Sequence, residues 1–171
     1  MVDIEWICHK YTHRERGMID MISNEMQRFN HLVGEIDAVY HEVAWNQGLS
    51  DSIFDILYTI CNAGECCMLK DICRNCGLSK QTANSALRKL EKEGIVYLEL
   101  MDSKHKKVCL TEAGKCLVSR TVGRVIEAEN EILASWEKED VETYIALTRR
   151  YLLALQEKAK DLSDGLEGGR L

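Results

Sequence analysis

Two clusters of side chains in this chain could do chemistry. The first is a polar and basic set: Ser79, Lys80, Gln81, Thr82, Asn84, Ser85, Arg88, Lys89 and Lys92. Between them Ala83, Ala86, Leu87 and Leu90 return every three or four residues, which is the period of one buried helix face. The polar set is therefore the opposite, outward face, and it holds no acid before Glu91. Lysine and arginine there can neutralise phosphates, while asparagine and glutamine amides can pair with base edges. A second basic group, Lys104, His105, Lys106 and Lys107, follows shortly after. The other cluster is sulfur: of eight cysteines, five lie between Cys61 and Cys76.

The elements that must hold the basic set can be read from their neighbours. Leu69, Ile72 and Cys73 have helical spacing and give a first short helix a buried side. Gly77 can take the left-handed conformation that closes it. Leu78 fills the angle, and Ser79 is a good N-cap for a second helix that runs to Gly94. Ile95–Leu100 and Lys107–Leu110 favour strands around a polar tip at Asp102–Lys107. Helix, tight turn, helix and hairpin make a winged helix-turn-helix, whose second helix usually enters the DNA major groove. Lysines on an edge hairpin also block strand addition, so the tip taken alone does not establish nucleic-acid binding.

These residues resemble the MarR family of bacterial transcription regulators. The likeness rests on Leu78-Ser79-Lys80-Gln81-Thr82-Ala83-Asn84 and on Leu87-Arg88-Lys89-Leu90-Glu91-Lys92-Glu93-Gly94-Ile95-Val96. It continues through Asp102-Ser103-Lys104 and Val108-Cys109-Leu110-Thr111-Glu112-Ala113-Gly114. The resemblance implies an obligate homodimer, a pseudo-palindromic double-stranded DNA operator, and a small-molecule effector or redox input. The wing departs from the family in two ways: Lys104 stands where Arg is usual, and the hairpin is shorter. Lysine is a point charge without the arginine fork, so this wing is expected to add phosphate affinity rather than sequence preference.

Charge is distributed as a DNA-binding reading requires, although the whole chain carries −6. Residues 1–78 hold 12 acids and 6 bases, residues 79–107 hold 4 and 7, and residues 108–171 hold 12 and 9. Only the middle segment is positive, and an acidic remainder limits non-specific adhesion. The 171 residues suffice for one domain with a real core. No apolar run approaches a membrane span and no secretory signal opens the chain, so the expected location is cytoplasmic. The absence of proline suits long helices.

Outside the winged region the pattern is helical. Met18, Ile22, Met26, Phe29, Val33, Ile36, Tyr40 and Val43 mark a long helix ended by Gly48. Ser50 or Asp51 can cap the next, with Ile53, Phe54, Ile56, Leu57 and Ile60 apolar, and Asn62-Ala63-Gly64 breaks it. Thr111 can cap a helix predicted to run to Trp136. Glu137–Asp140 form a polar break before a last helix carrying Val141, Tyr144, Ile145, Tyr151, Leu152 and Leu155. The outer helices are apolar on more sides than one small winged unit needs, which suggests a dimer platform. The predicted fold is mostly α: a winged helix-turn-helix with a small β-hairpin wing and long N- and C-terminal dimerisation helices. The expected organisation is an arm and dimerisation helix over 1–48, a DNA-binding region over 49–110, C-terminal dimerisation helices over 111–162 and a tail over 163–171, within one structural domain.

The cysteines admit three readings. Cys61 and Cys73 fall on apolar helix faces, where cysteine packs as a small hydrophobe. Cys66 and Cys67 follow a glycine break near a helix start, which favours a thiolate and makes them the redox candidates. A metal would need four converging ligands, which adjacent cysteines supply poorly, so no metal or cofactor is expected. Stable disulfides are not expected in a cytoplasmic chain. His31 and His41 stand too far apart along one helix to share an ion. Trp6 and Trp45 bracket the first helix and could pack at the dimer junction, although ordinary burial is the first expectation. No nucleophile motif or phosphate-binding glycine loop occurs, which argues against an enzyme. The sequence therefore points to a homodimeric, DNA-binding repressor. Two alternatives stay open: a thiol or metal sensor switched through Cys61–Cys76, and a winged-helix protein–protein adaptor that does not bind DNA.

Overall fold

The computed structural model describes residues 13–101 and 106–167, with side chains over 24–101 and 106–162. Trp6 lies outside the described residues, as do the wing-tip residues Lys104 and His105. The chain falls into two compact units, which divide between Leu117 and Val118.

In the first unit, helix α1 (His13–Asn46) leads through Gly48 to α2 (Asp51–Asn62), then strand β1 (Cys66–Met68), α3 (Leu69–Asn75) and α4 (Lys80–Lys92). Strands β2 (Val96–Leu100) and β3 (Lys106–Leu110) follow, and α5 (Glu112–Arg120) begins immediately after them. Helices α2, α3 and α4 arise where the apolar period predicts them. Ile56, Leu57, Ile60 and Ile72 are fully buried, and Leu90 and Val96 nearly so. Burial of such side chains, at about 25 cal/mol per Å² of apolar area, is what holds short helices that would be marginal alone. On α1, Tyr40 meets Phe54 at a ring separation of 6.4 Å, and His41 Nδ1 lies 2.8 Å from the Asp51 carboxylate at the start of α2.

The hairpin is part of a three-stranded antiparallel sheet in the order β1-β3-β2. Cys67 faces Val108, which in turn faces Leu98; Cys66 faces Cys109, which faces Tyr97. Side chains alternate across a sheet, so Cys67, Val108 and Leu98 share one face and Cys66, Cys109 and Tyr97 the other. The sequence pattern misses β1. Three residues carry little strand signal, and their conformation is set by pairing with β3, far along the chain. The preceding turn, with Gly64 at φ +81° and Glu65 at φ +74°, aims the chain into that pairing.

Thr111 joins the pieces. Its hydroxyl donates to the Gly94 carbonyl at 2.6 Å and accepts from the Gly114 amide at 3.0 Å, so it caps α5 and anchors it to the end of α4. Gly114 fits only because it lacks a side chain: a Cβ there would collide with the Ile95 carbonyl.

In the second unit, α6 (Val122–Ala134) and α7 (Lys138–Glu167) follow. The single helix expected over 111–136 is interrupted: Thr121 leaves the helical region at φ −121° and ψ −103°. Gly123 permits the interruption, because a Cβ there would sit 2.9 Å from the Val118 carbonyl oxygen. The polar break is also shorter than expected, since Asp140 already belongs to the first turn of α7. Trp136 packs edge-on against Tyr144 with ring centres 5.5 Å apart.

Candidate nucleic-acid interface

Helix α4 presents the face that its sequence implies. Ala83, Ala86, Leu87 and Leu90 are buried, while Lys80, Gln81, Thr82, Asn84, Ser85, Arg88 and Lys89 are exposed. Ser79 is the N-cap: its hydroxyl accepts from the Thr82 amide at 3.1 Å and lies 2.8 Å from the Thr82 hydroxyl. The two hydroxyls are therefore partly committed to holding the helix start. The amide and charged heads of Lys80, Gln81, Asn84, Arg88 and Lys89 stand along the exposed face.

A groove of about 500 Å³ adjoins that face. Its walls include Lys80 and Asn84 from α4, Met68 from β1, Lys70 and Cys73 from α3, and Lys106 from the wing strand. Three lysines from three different elements meet there, a concentration of positive charge suited to phosphate. Lysine 106 was expected in this role. Lysine 70 was missed, because in sequence it is one base beside Asp71, and only the β1–α3 junction brings it to the groove. The tip residues Lys104 and His105 lie outside the described residues.

The cysteines depart from expectation. Cys66 and Cys109 form a disulfide, with Cα atoms 4.2 Å apart. The sequence does not reveal this pairing, because only β1 and β3 set these two residues directly opposite each other, a juxtaposition invisible without the strand. Neither Cys66 nor Cys67 sits at a helix start; both are in β1, with side chains on opposite faces. Cys67 is buried, and burial pushes its thiol above the ordinary range, followed by the negative charge of Asp71. Burial likewise raises the thiols of Cys61 and Cys76, the latter lying 3.2 Å from the Thr59 hydroxyl. Cys73 is only half-buried and lines the groove, rather than packing fully into the core. Among the described residues, no group of three or more histidine, cysteine or acidic side chains could hold a metal ion. None of the described helices is long and apolar enough to cross a membrane.

Trp45 corrects the expected burial: it is 74% exposed. It stands one residue before the end of α1, beyond the reach of the core beneath α2, where Ala44 supplies the buried contact instead.

Comparison with known proteins agrees with this geometry. Residues 47–107 match the model of the MarR family. Curated protein sequences give no significant match. Among solved structures, the chain is similar to the MarR family regulator NMB1585 from Neisseria meningitidis, with a TM-score of 0.67 at 20% identity over 81% of this chain and 98% of that one. It is similar to a MarR family transcriptional regulator from Silicibacter pomeroyi, with a TM-score of 0.60 at 20% identity over 72% and 84%. It is also similar to MepR of S. aureus, solved with DNA, at a TM-score of 0.52 and 20% identity over 85% and 99%. Over residues 47–107 the chain is therefore similar to the MarR family, and the solved structures share its winged helix-turn-helix fold.

Proposed function

We infer that the protein is a homodimeric, cytoplasmic, non-catalytic transcription regulator that binds a pseudo-palindromic operator through α4 and the wing. One observation carries the reading: the exposed face of α4, within the positively charged segment 79–107, shares a groove with Lys106 of β3 and with Lys70 of α3. A winged domain used purely as a protein adaptor has no need of that convergence. The likeness to a chain solved on DNA supports it at the level of the fold. In this reading Gln81 and Asn84 read bases, with Thr82 and Ser85 beside them. Lys80, Arg88, Lys89, Lys104, His105 and Lys106 hold phosphates, and Lys70 joins them.

The second copy is called for by the apolar faces left open. On α1, Phe29, Leu32, Ile36 and Val39 are between 43% and 60% exposed, and on α7 Tyr144, Ile145, Leu152 and Leu155 are between 50% and 55% exposed. Solvated surfaces of this kind along two long helices mark an interface. The dimerisation segments are 1–48 and 111–162. A small-molecule input is supported by the likeness to PcaV of Streptomyces coelicolor, solved with its natural ligand.

Selection of bound duplexes from a random library, followed by anisotropy titration at several salt concentrations, tests the reading. The expected result is an enriched inverted repeat whose affinity falls steeply with salt. Failure to enrich any sequence, with tight salt-insensitive binding to a protein partner, would establish the adaptor alternative.

A further inference from the structure

We propose that Cys66 and Cys109 are a reversible redox pair whose disulfide fastens the wing to the helix-turn-helix and so strengthens its grip on DNA. The inference rests on the DNA-binding reading for its consequence, though not for the bond itself.

The pair is defined by topology. Cys66 and Cys109 are directly opposed on antiparallel strands, with Cα atoms 4.2 Å apart. That is the close spacing of a non-hydrogen-bonded position, where facing side chains approach most nearly. The neighbouring Leu110 amide donates to the Glu65 carbonyl at 3.0 Å, as expected one residue away from such a position. Cys67 cannot substitute for Cys66, because it points to the opposite face and opposes Val108. Half-buried Cys66 is open to a small oxidant, whereas Cys109 is 1% exposed and is reached only through its partner.

The chemistry balances with a peroxide as oxidant. The Cys66 thiolate attacks one peroxide oxygen, becomes a sulfenic acid and releases hydroxide, which takes up a proton to become water. The Cys109 thiolate then displaces hydroxide from that sulfur, which leaves as a second water. Two thiols and one hydrogen peroxide thus give one disulfide and two waters, two electrons passing to the peroxide. A dithiol reductant reverses the reaction by exchange. In a reducing compartment the resting form is the dithiol, and the bond forms when oxidant arrives.

The position of the bond gives it a consequence. Cys109 lies three residues from Lys106 on β3, about 10 Å along the strand. On the other side, Cys66 lies in the three-residue strand that runs straight into α3, which carries Lys70. Lys70 and Lys106 are two of the three lysines of the DNA-facing groove. Joining β1 to β3 therefore holds two walls of that groove in register. Without it they are tied by a three-residue ladder at the sheet edge. A pre-organised wing loses less freedom on binding.

Two measurements on the full-length protein test the proposal. First, protein treated with hydrogen peroxide is alkylated under native conditions, digested and mapped by mass spectrometry. A Cys66–Cys109 linked peptide that disappears with dithiothreitol is expected; both cysteines remaining separate after peroxide would overturn the bond. Second, a duplex selected with the reduced protein is titrated with both forms. The oxidised form should bind about threefold tighter, the scale expected if the competent wing rises from roughly a third of molecules to nearly all. Cys109→Ser should abolish that gain, and Cys66→Ser, at the half-buried position, gives the same readout should the buried change unfold the protein. Equal or weaker binding after oxidation, or a gain that persists in Cys66→Ser, would refute the fastening role. If no duplex can be selected at all, the DNA-binding reading fails while the peptide map still decides the bond.

Discussion

In the winged region Ile56, Leu57 and Ile60 are fully buried and Leu90 is 1% exposed, whereas Leu32, Ile36 and Val39 of α1 and Tyr144, Ile145 and Leu152 of α7 are each at least half exposed. Both regions carry the same kinds of apolar side chain at the same helical period. The winged region closes on itself through three helices and a sheet. The long helices leave apolar stripes in water within one chain. Periodicity states that a face will be covered, and not by which molecule.

The largest effect should come from the self-contained region. Leu57→Ala removes a wholly buried side chain beneath α4 and should cost about 2–5 kcal/mol, read as a lowered midpoint in urea unfolding. The matching change in the other region, Leu152→Ala, should lower stability by an amount that depends on protein concentration, because its cost falls on assembly. Equal concentration-independent losses at the two positions would erase the contrast. Next, Leu152→Asp together with Ile36→Asp should turn a dimer at low micromolar concentration into a folded monomer by analytical ultracentrifugation. A wild-type protein already monomeric there would show that the open stripes are covered otherwise.

Within the winged region, two residues on one helix should separate in kind. Asn84→Ala should cost about 1–3 kcal/mol on the selected duplex and relax preference at one position per half-site. Lys89→Ala should weaken every duplex more evenly and reduce the salt slope by about 1. A uniform loss from Asn84→Ala on all sequences would remove its role as a reader.

The smallest effect concerns the seam between α1 and α2. Burial, then the charges of Asp51 and Asp37, push the Asp55 carboxyl above its ordinary value of 3.8. A raised carboxyl favours the protonated folded state. Its contribution to stability is fully present below the ordinary value and is lost as pH rises through the folded one. Asp55→Asn should therefore raise Tm modestly at neutral pH, with the gain vanishing as pH falls below 3.8. A gain that grows in acid would contradict that sign.

Much of the winged region was legible because its signals are local. The Ser79 cap, the buried Ala83, Leu87 and Leu90, the turn at Gly77 and the Thr111 cap each depend on residues a few positions apart. The outward face of α4 follows directly from that period. Lys70, by contrast, joins the candidate interface only through a strand that sequence reasoning passed over.

The sequence by itself determined the order of helices and hairpin, the exposed polar face of α4 and the confinement of positive charge to 79–107. Helix period, capping and composition are all properties of neighbouring residues. The tertiary structure alone decided that Cys66-Cys67-Met68 is a strand, that Cys66 meets Cys109, that Cys67 is sealed away and that Lys70, Lys80 and Lys106 share one groove. Each of these depends on pairing residues distant in the chain, and a three-residue strand acquires its identity only from the partner it bonds.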